Sequence, residues 1–235
     1  MKNLTRTICL ALTVLLGSAG SSWGQDFDKG LAAAQSGDYA TALQEWVPLA
    51  EQGNADAQFM VGTMYEKGDG VPQDSQIAVE WYSLAAEQGH ARAQSHLGAM
   101  YFNGQGVLQD YKTAMKWYSF AAKQGFAFAQ NNLAIMYDEG LGVPQDYKTA
   151  AKWYTLAAEQ GDSYAQYNLG IMYDKGEGVP RDFAYAHLWL DLSASGGIEI
   201  AGEARDALVK KMTSAQIEEA QRLAQECIRK DYKGC

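Results

Sequence analysis

The sequence predicts an all-α protein, a right-handed α/α superhelical solenoid of helix-turn-helix repeats, and three residue series predict it. Trp81, Trp117, Trp153 and Trp189 stand 36 residues apart. Gln58, Gln94, Gln130 and Gln166 keep the same interval, as do Tyr65, Tyr101, Tyr137 and Tyr173. Three residue types sharing one period, with no strand-like alternation inside it, imply a stack of one supersecondary unit, each copy burying apolar faces against its neighbours.

The unit at 126–161, FAFAQNNLAIMYDEGLGVPQDYKTAAKWYTLAAEQG, shows the two helices. Ala129, Leu133, Met136 and Tyr137 lie at i, i+4, i+7 and i+8, one apolar stripe. Ala150, Trp153, Leu156 and Ala157 form the second expected stripe, at i, i+3, i+6 and i+7. Between them, Gly140 or Gly142 is suited to the left-handed conformation that ends a helix. Pro144 blocks its resumption and Asp146 is placed to cap the next. Ala127, Ala129 and Ala134, matched by Ala91, Ala93 and Gly98 one repeat earlier, are small enough for close helix approach.

In chain order, residues 1–24 read as a secretory signal: Lys2 and Arg6, the apolar run Ile8 to Leu16, then small residues, with cleavage after Ala19 or Gly24. The apolar run is far shorter than the about 20 residues a membrane-spanning helix needs, so no membrane insertion is expected once the signal is removed. Residues 25–53 form an N-terminal capping helix pair around Trp46. Four repeats follow at 54–89, 90–125, 126–161 and 162–197. Residues 198–235 close the array, with Thr213 and Gln216 in capping-box spacing ahead of Ile217, Ala220, Leu223 and Ala224.

Charge narrows the partners. Removing residues 1–24 takes away two basic residues and no acidic ones, leaving 17 Lys and Arg against 28 Asp and Glu, a formal −11. No Lys or Arg cluster is present to neutralise phosphates, so nucleic acid is not an expected partner. Cys227 and Cys235, an even pair eight residues apart in an exported chain, most simply form a disulfide that folds the tail onto the last helix. CxxC spacing is absent, and His90, His96 and His187 do not fall at i, i+4, so neither a metal nor a cofactor is expected. Thr113 to Lys116 and Thr149 to Lys152 are the nearest approach to an SxxK motif, and they recur with the repeat.

The repeated residues resemble the Sel-one-like repeat family, relatives of the tetratricopeptide repeat. Its pattern, A-x-A-Q-x-x-L-G-x-M-Y-x-x-G-x-G-V-P-x-D-Y-x-x-A-x-x-W-Y-x-x-A-A-x-Q-G, runs four times between Asn54 and Gly197. Two departures stand out: Leu108 replaces the proline found at 72, 144 and 180, and the fourth unit ends in SASGG. The resemblance implies a non-catalytic scaffold or adaptor of the bacterial periplasm or cell envelope that binds a protein or peptide. A cysteine-rich branch of the family is associated with penicillin binding and lactam hydrolysis, which makes an envelope hydrolase the alternative; the cysteine pairs of that branch are missing here.

The third, sixth, seventh and tenth positions of each repeat vary, and these offsets share one helical face. By analogy with tetratricopeptide arrays, this face lines a concave groove. In the last two repeats it offers Phe128, Asn131, Asn132, Tyr164, Tyr167 and Asn168. Rings that stack and amides that hydrogen-bond suit an extended peptide backbone.

Overall fold

The structure, a computed structural model, describes residues 26–235; the signal expected over 1–24 lies outside the described residues. Twelve α-helices and no strand occur among the described residues. They are α1 Phe27–Gln35, α2 Tyr39–Glu51, α3 Ala55–Lys67, α4 Ser75–Glu87, α5 Ala91–Asn103 and α6 Tyr111–Lys123. The series continues with α7 Ala127–Glu139, α8 Tyr147–Ala158, α9 Ser163–Lys175, α10 Phe183–Ser195, α11 Glu199–Val209 and α12 Ser214–Arg229. The fold is an all-α array of helical hairpins. By contact it divides into two compact units, one up to Ala93 with Gln105–Val107, the other Gln94–Gly104 with Leu108–Cys235.

The first unit holds α1 to α4 and the start of α5. Asp26, Asp38, Asn54 and Asp74 cap α1 to α4, each side chain accepting from an otherwise orphaned N–H in the first helical turn. Trp46 is fully buried, and its Nε1 donates to the carbonyl of Phe27 at 3.1 Å, so the indole loses no hydrogen bond on burial. A Cβ built on Gly62 would lie 2.8 Å from the ring of buried Tyr82, so glycine here sets how closely α3 and α4 approach.

The second unit repeats the same devices. Asp110, Asp146 and Asp182 cap α6, α8 and α10. Thr213 and Gln216 form the expected capping box on α12. Both candidate glycines of the third repeat take the left-handed conformation, Gly140 at φ 72° and Gly142 at φ 75°. A Cβ on Gly178, also left-handed, would sit 2.1 Å from the carbonyl oxygen of Tyr147, so this loop closes directly on the start of α8. Leu108, in the place of the loop prolines, is 90% exposed, which fits a proline chosen for its fixed backbone and not for packing.

The second-helix stripe needs correction. Ala150 and Ala157 are buried as expected, but Leu156 is 44% exposed and Trp153 only half-buried. The core side of α8 is Ala150, Ala151, Tyr154, Ala157 and Ala158, one residue round the helix from the expected stripe. The reason is the facing small residue. Tyr118 inserts against α5, where Gly98 leaves room, and Tyr154 shares a buried cluster with Ala134 of α7, so the tyrosines take the core side of α6 and α8. The periodic tryptophans therefore divide. Trp189 is buried, while Trp117 and Trp153 are half-buried; Trp153 is packed against the cluster containing Ala114 and Tyr118.

Glutamines join successive repeats. Gln130 donates to the carbonyl of Ala122 at 3.1 Å, and Gln166 to that of Ala158 at 3.2 Å, each satisfying the C-terminal turn of the preceding helix. Gln124 donates to Gln94 Oε1 at 2.8 Å and Gln160 to Gln130 Oε1 at 2.7 Å. At the fourth repeat the donor glutamine gives way to Gly196, where a Cβ would stand 2.0 Å from Ser163 Oγ, and Ser193 Oγ donates to Ser163 O at 2.7 Å instead. The SASGG departure is thus a different closure of the same junction.

Helices α11 and α12 pack on α10. Cys227 and Cys235 are joined by a disulfide with Cα atoms 5.3 Å apart. The tail it holds returns to the third repeat, where Gly234 N–H donates to Glu159 Oε1 at 3.1 Å and the Tyr232 ring lies 3.8 Å from a Cβ position on Gly161.

Candidate protein-binding face

The six candidate binding residues sit on α7 and α9. Phe128 and Tyr164 occupy the same repeat position, 36 residues apart, and are 50% and 64% exposed. Asn132, Tyr167 and Asn168 are half-buried. Asn131 is 7% exposed and approaches Asn168, whose Nδ2 donates to Asn131 Oδ1 at 3.5 Å. This long contact links a side chain of α7 to one of α9, the helices that carry Phe128 and Tyr164.

Within that face the residues differ in what they offer a partner. The Nδ2 of Asn132 donates to the carbonyl of Phe128 at 2.8 Å, leaving its Oδ1 as acceptor. Tyr167 packs against the cluster of Ala186, Leu190, Ala201 and Leu208, so its ring is chiefly structural. The sixth repeat position is buried in three of four repeats, as Phe59, Ser95 and Asn131. Its variation follows local packing: Phe59 stacks on His90 at 4.9 Å and lies 5.6 Å from Tyr82. The third position, Asp56, Arg92, Phe128 and Tyr164, is exposed in every repeat, with Asp56 lying 3.1 Å from His90 Nε2. Sequence offsets alone do not separate these two positions, because they lie on adjacent parts of one helical face.

Asp162 caps α9 two residues before Tyr164, accepting from the Ala165 N–H at 2.8 Å. Burial pushes its carboxyl above the ordinary aspartate range, against the lowering effect of the N–H groups of Ala165 and Tyr164. The base of the exposed ring therefore stands on a partly desolvated helix cap.

Thr113 Oγ1 donates to Asp110 Oδ2 and Thr149 Oγ1 to Asp146 Oδ2, both at 2.6 Å. These hydroxyls belong to helix caps, which explains why the Thr-x-x-Lys spacing recurs with the repeat. No group of three or more His, Cys, Asp or Glu is placed to hold a metal ion among the described residues. His187 is buried and burial lowers its pKa, favouring a neutral imidazole. No described helix is long and apolar enough to cross a membrane.

Helical hairpins at a fixed period, linked by glutamines, define an α-helical repeat protein. The Sel1 repeat model matches residues 55–90, 91–126, 127–162 and 163–198, more than half of the sequence, and the chain belongs to the Sel1 repeat family. Among solved structures it is similar to c5321, a protective antigen present in uropathogenic Escherichia coli strains displaying an SLR fold. The two share 36% identity over 88% of this chain, with a TM-score of 0.81. This chain spans 46% of the length of c5321. It is also similar to a Sel1 repeat protein from Oxalobacter formigenes, at 33% identity over 86% of this chain and 75% of that one, with a TM-score of 0.69. No curated protein matches the sequence at a significant level. Sel1 repeat proteins generally mediate protein–protein interaction and are typically non-catalytic.

Proposed function

We propose that the chain is a non-catalytic scaffold or adaptor that binds a protein or peptide along the first-helix face of the third and fourth repeats. Phe128 and Tyr164 are its anchors, and Asn132 and Asn168 supply polar contacts. One observation carries this reading: two large rings are 50% and 64% exposed at the same position of successive repeats. Exposed aromatic rings flanked by amides are the residue types that dominate binding energy at protein interfaces. The signal-like residues 1–24 and the Cys227–Cys235 bridge support an exported form working in the periplasm or cell envelope.

Immobilised residues 25–235 and a Phe128→Ala/Tyr164→Ala variant, exposed to the same envelope extract, test the reading. A polypeptide retained by the parent and retained about tenfold less by a variant with an unchanged melting curve supports it. Equal retention by both places the partner on another surface.

A further inference from the structure

A second surface lies on the second helices of the two middle repeats. Helix α6 carries Lys112, Lys116 and Lys123 and helix α8 carries Lys148 and Lys152, and neither contains an acidic residue. This is unusual in a chain with 28 Asp and Glu against 19 Lys and Arg. The same helices expose apolar bulk: Phe120 is 42% exposed, Leu156 is 44% exposed, and Trp117 and Trp153 are half-buried. Lys116 Nζ stands 5.4 Å from the Trp117 ring and 6.0 Å from the Phe120 ring, and those two rings meet edge-to-face at 5.8 Å. Among the described residues no carboxylate forms an ion pair with Lys116 or Lys152.

The combination is confined to the middle of the array. In the outer repeats the residues equivalent to Lys116 and Lys152 are Glu80 and Leu188, and the equivalent tryptophans, Trp81 and Trp189, are 2% and 1% exposed. Trp153 packs on the cluster formed by Ala114, Tyr118, Ala121 and Ala122 of α6 with Ala129, Leu133 and Met136 of α7, so α6 and α8 contribute to one packed layer. A merely solvated helix face has lysines without need of Trp, Phe and Leu beside them. Here exposed apolar area lies beside lysines whose nearby carboxylates, among the described residues, are the cap residues, Asp110 acting on Lys112 and Asp146 on Lys152.

We propose that this face docks an acidic amphipathic segment of a partner polypeptide. Its apolar side chains cover Trp117, Phe120, Trp153 and Leu156, and its carboxylates pair with Lys116 and Lys152. Charge complementarity selects an acidic occupant, and the half-buried tryptophans lie in the surface instead of projecting from it, which suits a packed polypeptide better than insertion into lipid. The face uses helices other than those that carry the first-helix site, so either reading can fail alone.

The test titrates residues 25–235 with a fluorescent synthetic amphipathic helix that has a leucine face flanked by glutamates, and with the same peptide carrying lysines for the glutamates. Binding of the acidic peptide, weakened about tenfold or more by Lys116→Glu/Lys152→Glu and by high salt, supports the proposal. The Phe128→Ala/Tyr164→Ala variant should bind it like the parent. A circular dichroism melt confirms that each variant folds, and Lys116→Gln/Lys152→Gln, giving a smaller loss, separates charge from bulk. Equal binding of both peptides, or none, overturns the proposal. So does binding to phosphatidylglycerol vesicles in place of the peptide, which assigns the face to lipid. Self-association abolished by the charge reversal overturns it in favour of a second copy of the chain.

Discussion

Gln160 donates its side-chain amide to Oε1 of Gln130 at 2.7 Å, across 30 residues of sequence, while Gln130 donates its own amide to the carbonyl of Ala122 at 3.1 Å. One buried side chain thereby links the end of α6 to the end of α8. Gln130 is 4% exposed, so its polar atoms have little recourse to water and each depends on the partner it has. The two periodic glutamines of the repeat are two halves of one junction.

Truncating the buried member of that pair costs more than truncating the exposed one. Gln130→Ala removes the side-chain donor to the Ala122 carbonyl, which keeps the Gly125 N–H at 3.0 Å, leaves the Gln160 amide without its acceptor and opens a cavity, an expected loss of about 2 kcal/mol. Gln160→Ala removes two hydrogen bonds of an accessible side chain, to Gln130 Oε1 and to the Leu156 carbonyl at 3.1 Å, about 1 kcal/mol because water can replace them. Urea unfolding of the two variants and their double measures both values and their coupling, and equal costs would show that burial does not govern the junction.

Gly98 tests the slot for the buried tyrosine. Its Cβ position is 2.8 Å from the Tyr118 ring, whereas the third repeat places Ala134 and Tyr154 in the corresponding positions. Gly98→Ala gains about 1 kcal/mol of helix propensity and loses a similar amount to the clash, so little net change is expected. Gly98→Leu cannot be accommodated and should cost about 3 kcal/mol or more, read as a lower urea midpoint.

The Cys227–Cys235 bridge closes a short loop and anchors a tail that reaches Glu159 through Gly234. Denaturing, non-reducing mass measurement of exported protein should show no free thiol at either position. Cys227→Ser/Cys235→Ser should lower stability by about 2 to 3 kcal/mol at most, with amide exchange speeding up first at residues 230–235. Exchange that speeds up equally through α3 would contradict a local clasp.

Acid should weaken the N-terminal unit through Glu45. The hydrogen bond from Lys29, then that from the Asp26 N–H at 3.0 Å, holds its carboxyl below the ordinary glutamate value. A group with a depressed folded pKa stabilises fully above its unfolded pKa, about 4.3, and loses that contribution as pH falls through the folded value. Glu45→Gln should therefore be less stable than the parent at pH 7, with the gap closing below about pH 4. A gap that stays constant with pH would assign the loss to packing alone.

Much of this architecture could be read from spacing, because a fixed period in Trp, Gln and Tyr leaves one kind of unit to stack. Caps and loop glycines were legible for the same reason, since Asp146, Thr213 and Gly140 occupy positions whose backbone demands are local. The phase of the second helix was not. Trp153 and Tyr154 are adjacent, both are apolar rings, and which of them is covered depends on the neighbouring helices: in the first repeat Trp81 and Tyr82 are both buried. The candidate face shows the same limit. Asn131 and Phe128 share a helical side, yet a neighbouring helix covers one and leaves the other in water, a distinction that requires tertiary packing.

The first-helix face holding Phe128 and Tyr164 is proposed to meet a polypeptide. A photo-crosslinking residue placed at Tyr164, with a control at exposed Gln225 on α12, tests it most directly in an envelope extract. A polypeptide adduct is expected at 164, absent at 225 and lost when Phe128→Ala is added. Adducts of equal yield at both positions, or none at 164, would contradict it.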